Sequence, residues 1–243
     1  IGLNEDPSSL IRQAVLEGTL KGLELLKVAD LINVLSTTRS MLSQAPTLAP
    51  TLFSVAARIP DLNKVQKRIR KFVGGQGEVL DSATPVLGPL RSNIIKAYQQ
   101  VTISLDMIVQ SKTSRAAMQD DVISIRGDRL VLQVKKELRH RVPGIVHDVS
   151  NTGSTLFIEP FDTIDLCNKW RELVLEEKRI TSIILRDLST LVSDVASNLN
   201  EGIRLVARLD LVLAKARYSI EIDGVSVIAN NNQTKHCDNL TKN

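Results

Sequence analysis

The spacing of apolar residues changes twice along this chain, and that change limits its fold more than any other feature. Apolar residues recur every three to four positions over residues 86–119 and again from Phe161 to about Leu199, which is typical of helices with one buried face. Between the two stretches the spacing falls to two, as in β-strands. At about 1.5 Å per residue, the second helix would be more than roughly 50 Å long. The simplest topology is a pair of long antiparallel helices with a small β unit at their far tip.

The β unit is predicted to contain short strands joined by tight turns. The predicted strands cover Val122–Arg126, Leu130–Val134, Ile145–Val146 and Leu156–Ile158. Gly127-Asp128 supplies a turn between the first two strands, and Asn151-Thr152-Gly153 supplies one between the last two. The fold class predicted from these patterns is mainly α with a small antiparallel β insert.

Further helices are predicted on both sides of this region. Residues 8–44 have a helical pattern that Gly18 and Gly22 divide in two, and Asp61–Phe72 predicts a short amphipathic helix. A bend is expected at Gly202, because glycine is a poor residue for a helix interior.

Two segments are expected to be irregular. Gly74, Gly75 and Gly77 lack the following GKS or GKT of a phosphate-binding loop, so they predict a flexible connector. Residues 222–243 lose their periodicity and become rich in Asn, which predicts a loose tail.

Positive charge is concentrated in the β unit. The whole chain has 31 Lys and Arg against 27 Asp and Glu, a net charge of +4. Six cations lie within residues 126–141, and two acidic residues, Asp128 and Glu137, leave +4 there as well. The six cations are Arg126, Arg129, Lys135, Lys136, Arg139 and Arg141. A local basic tip is typical of a module that contacts nucleic-acid phosphates, and the alternative is a solvated strand pair whose charges are neutralised by nearby carboxylates.

Several polar residues extend this candidate phosphate-binding site. His140 lies within the basic stretch, and Asn151, Thr152 and Ser154 form a polar turn whose side chains can contact phosphate oxygens. Turn chemistry explains the same three residues equally well. A second basic cluster, from Lys64 to Lys71, is better interpreted as the solvated face of a surface helix.

The remaining composition argues against several other functions. Aromatic residues make up only 3% of the chain, which suits a base-stacking surface badly. Cys167 and Cys237 cannot form a disulfide framework or a zinc site by themselves, so a reducing compartment is expected.

His147-Asp148 has no recognisable nucleophile beside it and no third metal ligand, so we predict no catalytic and no metal-binding residue. No apolar run is long enough to span a membrane, and the start at Ile1 suggests a fragment or a processed product.

Three stretches of the β unit are recognisable as a family pattern. They run from Ile125 to Lys135 (IRGDRLVLQVK), from Pro143 to Asp148 (PGIVHD) and from Gly153 to Pro160 (GSTLFIEP). The runs GEVLDSA at residues 77–83 and AKARY at residues 214–218 agree with the same pattern. Together they resemble the MutS family, specifically its MutS-two branch, over roughly residues 8–220.

The resemblance implies a helical core and two long lever helices that carry a β clamp. It divides the chain into a helical core region (1–85), an outgoing lever helix (86–119), a β clamp (120–160), a returning lever helix and core helix (161–221) and a non-family tail (222–243). Family members dimerise, hold nucleic acid between their clamps and carry a P-loop ATPase, and many carry a C-terminal Smr nuclease. They are linked to suppression of recombination and, in some bacteria, to rescue of collided ribosomes.

This sequence departs from the family pattern in two respects. It contains no Walker A motif, so binding of ATP and Mg²⁺ and any nuclease activity are expected of the parent protein and not of these residues. The N-terminal recognition domain of mismatch-repair relatives is not apparent either, so mismatch reading by an inserted aromatic side chain is not expected.

Two functional hypotheses follow from the charge and the resemblance. In the first, the chain is the lever and clamp region of a MutS-two protein, and its basic residues hold the backbone of duplex or branched DNA. In the second, the helices form a strut and a dimer surface, and the basic tip meets ribosomal RNA. Competition between duplex DNA and ribosomes would separate them. Both hypotheses imply a cytoplasmic protein, or one of an organelle stroma if the source is eukaryotic.

Overall fold

The structure is a computed structural model that describes residues 7–44 and 50–224. Its helices in these ranges are α1 (Ser8–Val15), α2 (Gly22–Ser43), α3 (Pro50–Arg58), α4 (Asn63–Phe72), α5 (Leu87–Gln110), α6 (Ile164–Asp194) and α7 (Ala196–Glu221). Four strands lie between α5 and α6, namely β1 (Met118–Arg126), β2 (Arg129–Lys135), β3 (Gly144–Val149) and β4 (Thr155–Pro160). The predicted fold class is confirmed. None of the described helices combines the length and the apolar character needed to cross a membrane.

The described residues form two compact units that do not follow chain order. One contains residues 7–31 and 63–196, and the other contains residues 32–62, without the undescribed 45–49, together with 197–224. The division into five consecutive segments made from the sequence stays a prediction. The predicted loose tail falls outside the described residues from position 225 onwards.

The two long helices α5 and α6 form an antiparallel pair. Arg91 near the start of α5 donates to Glu177 of α6 at 2.8 and 3.0 Å. Further along α5, Tyr98 packs on Trp170 with ring centroids 5.7 Å apart. As residue numbers rise on α5 they fall on α6, which establishes the antiparallel arrangement that the apolar periodicity predicted.

The four strands form one antiparallel sheet at the far end of this helix pair. The strand order in the sheet is β1-β2-β4-β3. Successive side chains of β2 point to opposite faces of the sheet. Leu130, Leu132 and Val134 belong to one buried cluster with Leu105 of α5 and Cys167 of α6. The sheet is therefore attached to both helices through a common apolar core.

Both long helices are shorter than the sequence predicted. α5 ends at Gln110, because Ser111 adopts an extended conformation and its hydroxyl accepts from the Ser114 N–H at 3.2 Å. β1 then begins at Met118, earlier than predicted. α6 ends at Asp194, and the break falls at Val195 (φ −106°, ψ 11°).

The bend predicted at Gly202 is wrong. Gly202 lies within α7 and is buried. A Cβ atom added there would lie 2.7 Å from Leu35 Cδ1. This glycine therefore permits close packing between helices rather than a change of direction.

The glycine cluster at residues 74–77 is a closed turn, which corrects the predicted flexible connector. Val73 and Val79 form a β-bridge across it, and the Gly74 N–H donates to the Glu78 carbonyl at 2.8 Å. Gly77 has a φ of +82°, which favours glycine. A Cβ atom on Gly22, at the start of α2, would overlap the Gly77 carbonyl oxygen. Both glycines are therefore needed for the turn to pack against α2.

We expect Gly22→Ala to destabilise the protein by roughly 1–3 kcal/mol, the usual cost of forcing extra atoms into a packed site. Gly75→Ala is the matched control, because a Cβ atom there has no neighbour within 4 Å, and it should change stability by less than about 1 kcal/mol. Urea unfolding of the two variants measures the difference. Equal unfolding midpoints would contradict a close approach at Gly22.

Candidate nucleic-acid interface

A two-residue hairpin turn positions two of the predicted phosphate-binding arginines. Gly127 and Asp128 both have positive φ values, 54° and 60°, as required in a type I′ turn. This turn pairs Arg126, the last residue of β1, with Arg129, the first of β2. Both arginines therefore lie at one end of the sheet.

Arg129 is engaged inside the protein. Its Nη1 donates to Glu159 Oε1 at 3.1 Å and to Asn168 Oδ1 of α6 at 2.7 Å. The Glu159 carboxylate is 1% exposed, and its other oxygen lies 2.7 Å from His147 Nε2. A buried carboxylate needs such partners, because burial of an isolated charge is very costly. Arg129 thus joins β2, β4 and α6, and because its side chain is only 19% exposed it is poorly accessible to an external phosphate.

Arg126 is held more loosely. Its guanidinium lies 4.2 Å above the ring centroid of Phe157, and its Nε lies 3.4 Å from Asp148 Oδ2. Both charged side chains are about half exposed, and an ion pair of this kind contributes only about 0–1 kcal/mol. A phosphate group can therefore compete with Asp148 for Arg126.

The other predicted cations form what we call the exposed basic segment, residues Lys135–Arg141. Leu138 and Val142 pack against the buried cluster, and this anchoring leaves Lys136, Arg139 and Arg141 exposed. Within the described ranges, no carboxylate lies within ion-pairing distance of any Lys or Arg of this segment. His140 is exposed beside them. The segment crosses from the end of β2 to the start of β3.

The predicted polar turn closes the hairpin between β3 and β4. The Gly153 N–H donates to the Ser150 carbonyl at 2.8 Å, and Gly153 has a φ of +71°. The hydroxyls of Thr152 and Ser154 lie 2.8 Å apart, and Asn151 is exposed beside them. Turn chemistry accounts for the conformation, and all three predicted side chains remain at the surface.

The structure divides the predicted site into two groups. The Lys136 N–H donates to the Ser154 carbonyl at 3.0 Å, and Lys135 pairs with Thr155 across the strands. The polar turn therefore lies beside the start of the exposed basic segment. Arg129 lies at the opposite end of β2, about 20 Å from Lys135 at 3.3 Å per residue, whereas the guanidinium of Arg126 reaches Phe157 and Asp148, close to the polar turn.

Sequence reasoning missed three residues around this site. Glu159 has a signal in the sequence, because it is a lone acidic residue in the apolar run Leu156–Pro160, and a carboxylate within a buried strand requires a cationic partner. Asn168 has no such signal, since one polar residue on an amphipathic helix is unremarkable. Phe161 is 58% exposed next to Arg139 and His140, and only the tertiary structure brings these three together.

The arrangement gives no support for nucleophilic catalysis. Cys167 is fully buried, and burial together with the nearby Glu159 carboxylate raises the pKa of its thiol to about 11. A reactive cysteine needs the opposite shift. His147 is bound to Glu159 rather than to the thiol. Burial of Cys167 and the contact of His147 with Glu159 are both part of the packing between the sheet and α6.

Comparison of the sequence with known proteins shows which proteins this chain resembles. No family model matches the chain. Proteins named Endonuclease MutS2 from Pelotomaculum thermopropionicum and Thermomicrobium roseum are each 34% identical to it, over 219 and 237 residues, and one from a Geobacillus species is 32% identical over 228 residues. These alignments cover 90%, 92% and 93% of this chain.

The resemblance to the MutS family inferred from the motifs is therefore confirmed. Within that family, the similarity is to the MutS-two branch. The chain spans only 28%, 30% and 29% of the length of the three relatives, so it corresponds to one region of proteins more than three times as long.

We expect Glu159→Ala to lower the free energy of unfolding markedly, because it leaves the guanidinium of Arg129 without its charge partner. Loss of one member of a buried pair costs up to roughly 3–5 kcal/mol, less where water reaches the remaining charge. Glu137→Ala is the control, since Glu137 is exposed. Its free energy of unfolding should stay within about 0.5 kcal/mol of that of the unsubstituted chain. Chemical denaturation compares the two variants, and similar midpoints would show that Glu159 does not hold the sheet together.

Proposed function

We propose that the sheet and the exposed basic segment are a clamp that holds the backbone of nucleic acid, in the first instance duplex or branched DNA. The observation that carries the proposal is the set of four cations, Lys135, Lys136, Arg139 and Arg141, that lack a carboxylate partner among the described residues. Unpaired cations release condensed counterions when they meet phosphates, which drives binding without regard to sequence.

The two groups of basic residues take different roles in this proposal. The exposed basic segment makes the principal phosphate contacts, and the ring of His140 can donate a hydrogen bond to a phosphate oxygen beside them. Asn151, Thr152 and Ser154 supply hydrogen bonds to phosphate oxygens beside Lys136. Arg126 makes a secondary contact by exchanging Asp148 for a phosphate, and Arg129 keeps the sheet in position through Glu159.

The helix pair is the lever in this proposal. The apolar core shared by the sheet, α5 and α6 attaches the clamp firmly, and the Arg91–Glu177 contacts couple the helices further from the tip. A displacement at the base of the pair would therefore move the clamp. The resemblance implies that the parent protein supplies such displacements through an ATPase that uses ATP and Mg²⁺, acts as a homodimer, and functions in DNA repair and control of recombination.

Replacement of the four cations Lys135, Lys136, Arg139 and Arg141 by Ala tests the proposal. Each phosphate contact contributes about 0.9 to the slope of log affinity against log salt. Loss of four contacts should therefore make the slope for duplex DNA shallower by about 3 to 4 and weaken binding strongly at low salt. Fluorescence anisotropy titrations at several salt concentrations measure both quantities.

The matched control removes the same number of charges elsewhere. Lys64, Lys67, Arg68 and Lys71 are exposed cations of α4, and their replacement by Ala should leave the salt slope nearly unchanged. Circular dichroism of both variants checks that they keep their helix content. If both sets of substitutions reduce affinity equally, binding depends on total charge and the clamp assignment is wrong.

A further inference from the structure

An apolar groove runs between α4 and α6, in the half of α6 that lies away from the sheet. Its volume is about 540 Å³, and all of its lining residues belong to the same compact unit. Val65 and Phe72 line it from α4. The apolar side chains that line it from α6 are Ile180, Ile183, Ile184, Leu188 and Leu191.

The apolar lining of α6 is a continuous stripe along one face of the helix. Its members are three or four residues apart, and residues 180–191 span three turns, about 16 Å at 1.5 Å per residue. Two of the five side chains are buried, whereas Ile180, Ile183 and Leu191 remain partly exposed. The described residues therefore cover this stripe only in part.

The two sides of the groove differ in charge. Lys64 and Arg68 lie one turn apart on α4, and both line the groove and are exposed. Among the residues that the structure describes, no carboxylate lies within ion-pairing distance of either cation. The guanidinium of Arg68 lies 4.8 Å from the ring centroid of Phe72, which keeps it beside the groove. The side formed by α6 carries the exposed carboxylate of Asp187.

The shape and the charge of the groove together select its occupant. A long apolar groove between two helices is filled by an amphipathic helix, whose side chains at i, i+3, i+4 and i+7 enter it. Lys64 and Arg68 favour acidic residues along the flank of such a helix that faces α4. Asp187 disfavours acidic residues along the opposite flank.

A second copy of the chain does not fit this groove in a two-fold pair. A two-fold contact brings the same surface of both copies together. Two grooves placed face to face leave the space between them empty, and they also bring the cations of α4 towards each other. The occupant therefore has a different surface from the groove itself.

We propose that the groove docks an amphipathic helix of a partner protein, with an acidic flank of that helix against α4. The inference is independent of phosphate binding, because the groove shares no residue with the exposed basic segment. The groove and the apolar core under the sheet both use side chains of α6. A partner bound there thus contacts the same helix that carries the clamp.

The experiment compares two short helical peptides as probes for the 243-residue chain. Both carry leucines at i, i+3, i+4 and i+7, and one has glutamates along a flank where the other has lysines. The chain should bind the glutamate peptide more tightly. Lys64→Glu combined with Arg68→Glu should reverse this preference and change each affinity by roughly 5- to 30-fold. Fluorescence anisotropy of labelled peptides measures the affinities.

Matched variants locate the contact. Lys136→Glu with Arg139→Glu changes the net charge equally on the exposed basic segment, and it should leave the preference for the glutamate peptide intact. Ile180→Ala with Ile183→Ala should weaken binding of that peptide by at least roughly 10-fold. Leu175→Ala should have no effect, because this side chain of α6 is 52% exposed and lies outside the groove. Urea unfolding checks that each variant is folded.

The outcomes decide between the possible occupants. Reversal of the preference, together with loss of affinity in the isoleucine variant, would support the proposal. Equal affinity for the two peptides, or a preference that survives the charge reversal, would overturn it. Failure of the full-length parent protein to bind a peptide that the chain binds would show that its own sequence fills the groove, and would overturn the partner assignment. Dimerisation of the chain that the isoleucine substitutions abolish would assign the groove to a second copy and overturn it equally.

Discussion

The buried carboxylate of Glu159 is the interaction on which the functional end of this molecule depends. It is neutralised by Arg129 on one side and contacted by His147 on the other, and Arg129 continues to Asn168 at the start of α6. Three strands and one long helix thus meet at a single charge that has almost no access to water. Since an uncompensated buried charge is so unfavourable, this set of contacts favours one placement of the sheet on the helix pair.

That internal neutralisation also explains where the external charge of the sheet lies. Arg129 is withdrawn from solvent and Arg126 has Asp148 as a neighbour, whereas the exposed basic segment has no described carboxylate at ion-pairing distance. A cluster of six cations in the sequence therefore becomes one structural arginine, one weakly paired arginine and four available cations. The local field that attracts phosphate comes from the last group, which lies on a segment anchored by apolar side chains.

The low aromatic content takes on a different meaning in the folded protein. Most of the described aromatic side chains near the sheet and the helix pair are used for packing, as with Tyr98 on Trp170 and Phe157 under Arg126. The scarcity of aromatic residues in the sequence argued against an extended stacking surface made of many rings. A single exposed ring beside basic residues is a different arrangement, which follows from its position and not from the composition.

The sequence by itself determined the type and order of the elements, because a change in apolar period from three or four to two depends only on which residues are neighbours along the chain. It also located the hairpin turns, since Gly127-Asp128 and Gly153 supply the backbone conformations that those turns require, and it identified the family through local motifs. It did not determine where α5 and α6 end, which the structure places at the hydroxyl contact of Ser111 and at the non-helical backbone of Val195. Nor did it determine that Gly22 and Gly202 serve close contacts between segments far apart in the chain. Only the tertiary structure decided which cations are neutralised and which ring lies beside them, because charge pairing and burial depend on distances between residues that the sequence separates by 20 to 40 positions, as from Arg129 to Glu159 and Asn168 or from Arg139 to Phe161.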